Sequence, residues 1–207
     1  DTTYLGIALD NFAGDLIGLE DLLVFHAYGV DAGINSAKQN GAAATKLNWK
    51  TFATSSGLDI SSELTALNAT SIGDLSAGVD LSINGNVALD VLSGTLVATT
   101  AFDLKLGQVK SAVLPTPAQD ADAMTLTLLG ANVFLGSGGS LLDNNGGTAT
   151  PADYSDDTVK NGTLGFRATA AKLTLVSLKD RGASAVLTTD DTTYLGIALD
   201  NFAGDLI

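Results

Sequence analysis

The chain has 207 residues, 45% of them hydrophobic, and a mean hydropathy of +0.28, values that exclude an intrinsically disordered protein. Its formal net charge of −13 argues against a nucleic-acid partner, because phosphate groups would be repelled. The absence of cysteine excludes disulfides and thiolate metal sites. No uncharged apolar run approaches the roughly 18 residues of a transmembrane helix.

The most informative feature of the sequence is a repeat. Residues 1–17 read DTTYLGIALDNFAGDLI, and residues 191–207 are identical to them. The repeat period is therefore 190 residues. We interpret residues 1–190 as one full repeat unit and residues 191–207 as the start of the next identical unit.

Short alternating segments indicate an all-β protein. Apolar residues alternate over Tyr4–Asp10, and an apolar segment at Leu22–Tyr28 is typical of a strand that is buried on both faces. Similar alternating segments follow at intervals of about 8–12 residues, separated by glycine or asparagine. Asn84-Gly85 predicts a hairpin turn, and Ser93-Gly94 predicts another break between strands.

The evidence for helices in the sequence is weak. Of the 23 acidic residues only Glu20 and Glu63 are glutamate, and aspartate favours turns over helices. Asp15–Val24 is the best helical candidate, with a strand or turn as the alternative. Leu58, Ile60, Leu64 and Ala66 share one parity, which favours a strand there.

The longest break between alternating segments, residues 136–157, is rich in Gly, Asp and Asn. Oxygen ligands on such a loop could hold Ca²⁺, the one cofactor that the sequence suggests. The candidate ligands are Asp143, Asp153, Asp156 and Asp157. Their spacing matches neither an EF-hand nor the calcium-binding nonapeptide, so a solvated turn-rich loop is the alternative.

No catalytic motif is present. His26 is the only histidine and lies in an apolar segment, so neither a histidine cluster for zinc nor a second histidine for catalysis exists. The GSGGS segment at residues 136–140 lacks the lysine of a phosphate-binding loop. We therefore predict a non-enzymatic protein. A polysaccharide-active enzyme on a β-scaffold stays open, because paired carboxylates are recognised by spatial separation alone.

Three segments carry a resemblance to a known class of proteins: TLGFRATAAKLTLVSL, YLGIALDNF and VDLSINGNVALDVLSGTLVATTAFDLKLG. Their texture resembles the long repeats of very large bacterial cell-surface proteins that are rich in Asp, Gly and Thr. The resemblance covers most of the period but contains no diagnostic motif. It implies an extracellular or cell-surface location and a role in adhesion, biofilm or filament formation, and it transfers no catalytic residue.

The repeat leads to a prediction of function. An identical unit at a fixed period contacts mostly its neighbours, and such chains usually serve span or display. We predict an elongated, β-solenoid-like stack of repeats, with a separate β-sandwich in each repeat as the alternative. The predicted function is a structural repeat of an extracellular bacterial fibre or stalk. Its partners would be neighbouring identical repeats or chains.

The duplicated strand is where we expect one repeat to pass its sheet to the next. The predicted junction residues are Tyr194, Leu195, Ile197 and Leu199, because their apolar side chains keep the alternation of a strand. The alternative function is an adhesin module that binds glycan or another surface, with or without calcium. An exposed aromatic or Asp-lined site would distinguish that module from a purely structural repeat.

Overall fold

The structure is a computed structural model that describes residues 1–15, 22–69, 75–114, 119–144, 154–180 and 191–207. Strands dominate these residues, so the predicted all-β class is confirmed. The helix candidate at Asp15–Val24 lies largely outside the described residues. Its two ends belong to strands. None of the described helices has the length and apolar character needed to cross a lipid bilayer.

Ten strands and two short helices are described. In chain order they are β1 (Thr2–Asp15), β2 (Leu23–Gln39), β3 (Ala42–Ala43), α1 (Ser61–Ala69), β4 (Val79–Val91), β5 (Leu96–Lys110), β6 (Asp120–Ser137), β7 (Ser140–Leu142), a 3₁₀ helix (Tyr154–Asp156), β8 (Thr158–Lys160), β9 (Leu164–Asp180) and β10 (Thr193–Leu206). Several of the strands exceed 13 residues. They are longer than the 5–6 residues of a typical strand.

The long strands form one antiparallel sheet in the order β1-β2-β4-β5-β6-β9-β10, and β3 pairs with the end of β2. A separate two-stranded ribbon consists of β7 and β8. Each long strand returns beside the one before it, so the chain makes a meander. Within the described residues we find neither the coils of a β-solenoid nor a second large sheet facing the first. The all-β prediction is thus supported at the level of class.

Two local predictions are wrong. Asn84-Gly85 lies inside β4 and makes no turn. Glycine is required there because a Cβ atom on Gly85 would lie 2.8 Å from Cγ2 of Val30. The β4–β5 hairpin turns instead at the predicted Ser93-Gly94 break, where Leu92, Ser93 and Gly94 all have positive φ.

The segment predicted as a strand around Leu64 is also wrong, because it contains helix α1. Asp59 precedes this helix and its Oδ1 accepts a hydrogen bond from the Ser61 amide, as a helix-capping side chain does. Thr65 then donates its hydroxyl to the Ser61 carbonyl. These local hydrogen bonds outweigh the apparent period-2 spacing of Leu58, Ile60 and Leu64.

The sheet has two unlike faces. Residues that pair directly across antiparallel strands share a face. One row of pairs runs Leu9, Ala32, Ile83, Leu104, Leu126, Leu175 and Ile197 across all seven long strands. We call the face that contains this row the apolar face. The opposite face, which contains Asn35, Ser82 and Phe134, we call the covered face.

Inserted segments pack on the covered face and form the core. Asn35 is almost completely buried; its amide donates to the carbonyls of Leu47 and Ser76, and its Oδ1 accepts from the Trp49 indole. Towards the other end of the sheet, Phe134 is fully buried beside Gly139, the residue that leads into β7. The buried interior therefore lies between this face and its insertions.

Candidate functional site

The duplicated segment forms both edges of the sheet. Its first copy is β1, which pairs with β2, and its second copy is β10, which pairs with β9. Six successive antiparallel pairings separate the two strands, so β1 and β10 run in the same direction. Leu9 and Ile197 share one row, so both copies also turn the same face to the same side.

One asparagine of the duplicated segment has nearly the same φ angle in both copies. Asn11 has a φ of 53° and its counterpart Asn201 has a φ of 50°, the left-handed conformation that asparagine tolerates better than most residues. In β1 this residue coincides with a shift in the pairing with β2. This asparagine thus keeps the same conformation in both copies, although they pair with different neighbours.

The two pairings use opposite edges of the strand. The Asp180 amide donates a hydrogen bond to the Thr192 carbonyl, so the backbone groups of Thr192 point towards β9. In an antiparallel strand every second residue does the same, here Tyr194, Gly196 and Ala198. The backbone groups of Leu195, Ile197 and Leu199 then point to the open side of β10.

In β1 the assignment is reversed. Thr2 and Thr3 pair with Gln39 and Lys38 along one edge of β2. Because β3 pairs with the same two residues of β2, it must lie along the other edge. The Ala44 amide donates to the Ala37 carbonyl on that second side, so Ala37 and its partner Tyr4 are not hydrogen-bonded to each other. Leu5, Ile7 and Leu9 therefore bond to β2, whereas Tyr4, Gly6 and Ala8 face the open side.

The two edges are consequently complementary. The residues that β10 leaves free are the counterparts of those that β1 uses for β2. The residues that β1 leaves free are the counterparts of those that β10 uses for β9. One strand of this sequence can therefore pair on both sides at once, with β9 of one unit and β2 of another.

Gly6 shows what the second copy lacks. A Cβ atom on Gly6 would lie 2.7 Å from the Trp49 ring, so glycine is needed for the ring to rest on β1. At Gly196, the counterpart in β10, the nearest atom to such a Cβ is the Val176 carbonyl oxygen at 4.0 Å. The glycine in β10 thus keeps a space that a tryptophan fills in β1.

The predicted junction residues all lie on β10. Tyr194 is on the covered face, and Leu195, Ile197 and Leu199 are on the apolar face. Leu195 and Ile197 are 64% and 61% exposed, compared with 47% and 38% for their counterparts Leu5 and Ile7. Leu199 and its counterpart Leu9 do not share this difference, since they are 54% and 53% exposed.

The acidic loop is only partly described. Asp153 lies outside the described residues, and Asp143, Asp156 and Asp157 flank the gap. Nδ2 of Asn144 donates to the Asp156 carbonyl at 2.6 Å and to Oγ1 of Thr158 at 3.1 Å, which holds the two sides of the loop together.

Asp157 connects this loop to the sheet. Its Oδ2 lies 3.3 Å from Nδ1 of His26 on β2. Burial raises the pKa of the Asp157 carboxyl; the hydrogen bond and charge of His26 oppose the rise, and the nearby Asp156 and Asp143 add to it. Burial, followed by the charges of Asp157 and Asp156, raises the pKa of the Tyr28 phenol.

No group of three or more histidine, cysteine, aspartate or glutamate side chains suited to a metal is found among the described residues. Both carboxylate oxygens of Asp156 are nevertheless buried without a hydrogen-bond partner. The four-aspartate calcium site includes Asp153, so it stays a prediction. His26, for which the sequence indicated no catalytic role, pairs with this loop.

The carboxylates of Asp10 and Asp31 form a pair beside the shift in register between β1 and β2. A side-chain hydrogen bond with Asp31, followed by burial and the Asp31 charge, raises the pKa of Asp10. Oδ1 of the buried Asp31 also accepts the Asn11 amide at 2.9 Å. The sequence suggested Asp10 and Asp31, with Asp15 and Asp21, as possible paired carboxylates, and acidic turn residues were the favoured interpretation. The alternation of β1 indicated a strand but not its partner on β2.

Comparisons of the chain with protein-family models, with curated proteins and with solved structures found no match.

Proposed function

We propose that this chain is a structural repeat of an extracellular bacterial fibre or stalk, non-enzymatic, in which successive units share one continuous sheet. The observation that carries the proposal is that two identical segments form the two edges of the sheet and pair through opposite sides. The strand that ends one unit is thus the strand that begins the next.

The geometry of such a fibre follows from the sheet. Six strands belong to each period, and at a spacing of about 4.8 Å each unit would add about 29 Å to the length. The row of paired residues that contains Leu9 ends at Ile197, which is the counterpart of Ile7 and not of Leu9. Each unit is therefore shifted by two residues along the strand direction relative to the unit before it. Contacts of this head-to-tail type are open-ended, as a fibre requires.

Sharing the strand also removes the exposed edges. A long unpaired edge strand is a template for uncontrolled aggregation. In a continuous sheet β1 is internal in every unit but the first. The elongated repeat architecture expected from the sequence is therefore proposed here as an edge-to-edge continuation of meanders, and its partners are neighbouring identical repeats.

The extracellular location is part of the proposal. It is supported by the resemblance to repeats of large bacterial surface proteins, by the absence of cysteine and by the acidic composition. These features concern the class of protein. The strand-sharing mechanism does not depend on them.

Peptide binding tests the shared strand. A chain of residues 1–190 with Ala8→Pro has β9 unpaired, and its own β1 cannot dock on another copy because the proline N faces the open side. A synthetic peptide of residues 191–207 should bind to it, as measured by fluorescence anisotropy. The peptide with Ile197→Pro should bind about equally, since that amide faces away from β9.

The matched control is the neighbouring substitution. The peptide with Ala198→Pro should bind at least tenfold more weakly, because that proline removes an amide that faces β9. Equal binding of the two proline peptides, or no binding of the unmodified peptide, would contradict the shared strand.

A second candidate is a calcium-dependent adhesin module that recognises glycan or another surface. The observation in its favour is Asp156, whose two buried carboxylate oxygens have no partner among the described residues, close to Asp157. Calcium should then raise the melting temperature of the chain, and excess EDTA should reverse the change. An unchanged melting temperature in both conditions would count against this candidate.

A further inference from the structure

The apolar face of the sheet continues across all seven long strands. Four further side chains at its centre, from β4, β5, β6 and β9, are Leu81, Phe102, Leu128 and Leu173. Charged side chains lie on this face only near its margin, beyond the row that contains Leu106 and Met124; they include Asp122 and Lys179. The central part is therefore largely apolar, with Thr100 beside Phe102.

In the part of the chain that the structure describes, several side chains of this face are exposed to solvent. Ile34, Leu135 and Phe166 are 40%, 54% and 43% exposed. The described contacts of Trp49, Gly139 and Asp157 with the sheet all lie on the opposite face. Large exposed apolar patches mark interaction sites.

The size of the face suits a protein–protein contact. The six spacings of about 4.8 Å between seven strands and a shared length of about 30 Å give a footprint of about 860 Å². This is close to the roughly 800 Å² per partner of a standard stable interface. Two sheets with the same twist can also stack face to face, about 10 Å apart, in the aligned packing of β-sandwiches.

The charge distribution is compatible with a second copy of the chain. The chain has a net charge of −13, so it would be repelled by an anionic membrane surface. Two copies that meet through the apolar face bury none of the charges on the covered face, such as Lys105, Asp103 and Arg167, and leave them in solvent. A second copy thus matches the surface in area and shape and leaves the charges of the covered face in solvent.

We propose that the apolar face is the contact surface for a second copy of this chain, so that two sheets stack into a two-layer sandwich with the insertions outside. This contact is separate from strand sharing at the edges and does not require it. It supplies the second layer that a single meander lacks.

The test uses the full chain with Ala8→Pro and Ile197→Pro, which block the two open edges and leave the pairings with β2 and β9 intact. Analytical ultracentrifugation over a dilution series should show a dimer. The Leu135→Lys substitution should raise the dissociation constant of the dimer at least tenfold. Leu129→Lys is the matched control, because Leu129 is a leucine of the same strand, 46% exposed, on the covered face. The Leu129→Lys substitution should change the dissociation constant of the dimer less than twofold.

Circular dichroism checks that each variant is folded, and Leu135→Ser replaces Leu135→Lys if the latter is not. A chain that stays monomeric at all concentrations overturns the proposal, whether or not it binds zwitterionic phosphatidylcholine vesicles. Equal effects of the Leu135 and Leu129 substitutions overturn it too. Because the edges are blocked, failure here leaves the shared strand untouched, and peptide binding tests that strand separately.

Discussion

The two faces of the sheet differ in a way that composition alone would not suggest. The covered face carries small and polar residues and buries Asp31, Asn35 and Ser82, whereas the apolar face leaves leucine, isoleucine and phenylalanine in solvent. Burial on the covered face is achieved by insertions that satisfy polar groups. The apolar face has no such cover in the described residues, so its side chains are suited to a partner.

The largest expected effect separates two phenylalanines. Phe134→Ala should lower the free energy of unfolding by about 3–5 kcal/mol, because Phe134 is fully buried on the covered face. Phe166→Ala, on the apolar face, should cost about 1–2 kcal/mol in the monomer. Urea unfolding at a concentration below dimer formation measures both. Equal losses would mean that the two faces contribute alike to the core.

Two neighbours on β2 sharpen the comparison. Asn35→Ala removes the partner of the Trp49 indole and of two carbonyls, and it should cost about 3 kcal/mol in unfolding free energy. Ile34→Ala, one residue away on the apolar face, should cost about 1 kcal/mol. A smaller loss for Asn35 than for Ile34 in the same urea experiment would refute the polar core.

The pH dependence tests the carboxylates of the covered face. The pKa of Asp10 is raised in the folded state, mainly by its hydrogen bond with Asp31, so the folded state binds more protons than the unfolded state. The raised pKa contributes fully to folding stability at a pH below 3.8, the ordinary pKa of an aspartate. The contribution is lost as the pH rises through the pKa of Asp10 in the folded state. Asp10→Asn keeps a donor towards Asp31.

The asparagine variant should therefore equal the wild type at low pH and exceed it in stability at neutral pH. Thermal melts from pH 3 to 7 provide the measurement. Asp59→Asn is the control, because hydrogen bonds from Ser61 lower the pKa of that carboxyl and its contribution has the opposite sign. An Asp10→Asn variant that is less stable than the wild type at neutral pH would contradict the assignment.

The smallest expected effect is on a surface ion pair. Lys105 lies 2.8 Å from Asp103 on the covered face, and both side chains are well exposed. Lys105→Ala should change the unfolding free energy by less than about 1 kcal/mol, since exposed ion pairs contribute little. A loss comparable with that of Asn35→Ala would show that charges, and not buried hydrogen bonds, stabilise this face.

Alternation along the chain was sufficient to predict most long strands, because period-2 patterns follow directly from strand geometry. It could not predict how they pair. Asn84-Gly85 has the composition of a hairpin turn, but the close approach of Val30 explains the glycine. Local capping by Asp59 likewise produced a helix where the apolar spacing favoured a strand.

The candidate site was partly visible in the sequence. The duplication identified the junction strand, including Tyr194 and Ile197, but not which amides face outward, because that property depends on register with β2 and β9. Nor could alternation tell which face the insertions cover. The contacts of Gly6 with Trp49 and of Asp157 with His26 join residues that are far apart in the chain. Local sequence patterns therefore could not predict them.

Amide hydrogen exchange in a chain extended by one further period tests the shared strand most directly. In the chain of residues 1–207, the amides of Tyr194, Gly196 and Ala198 should be protected and those of Leu195, Ile197 and Leu199 should exchange quickly. In the extended chain all six should be protected, because the next β2 pairs with the open side. Fast exchange of Leu195, Ile197 and Leu199 in the extended chain would contradict a sheet that continues from one repeat into the next.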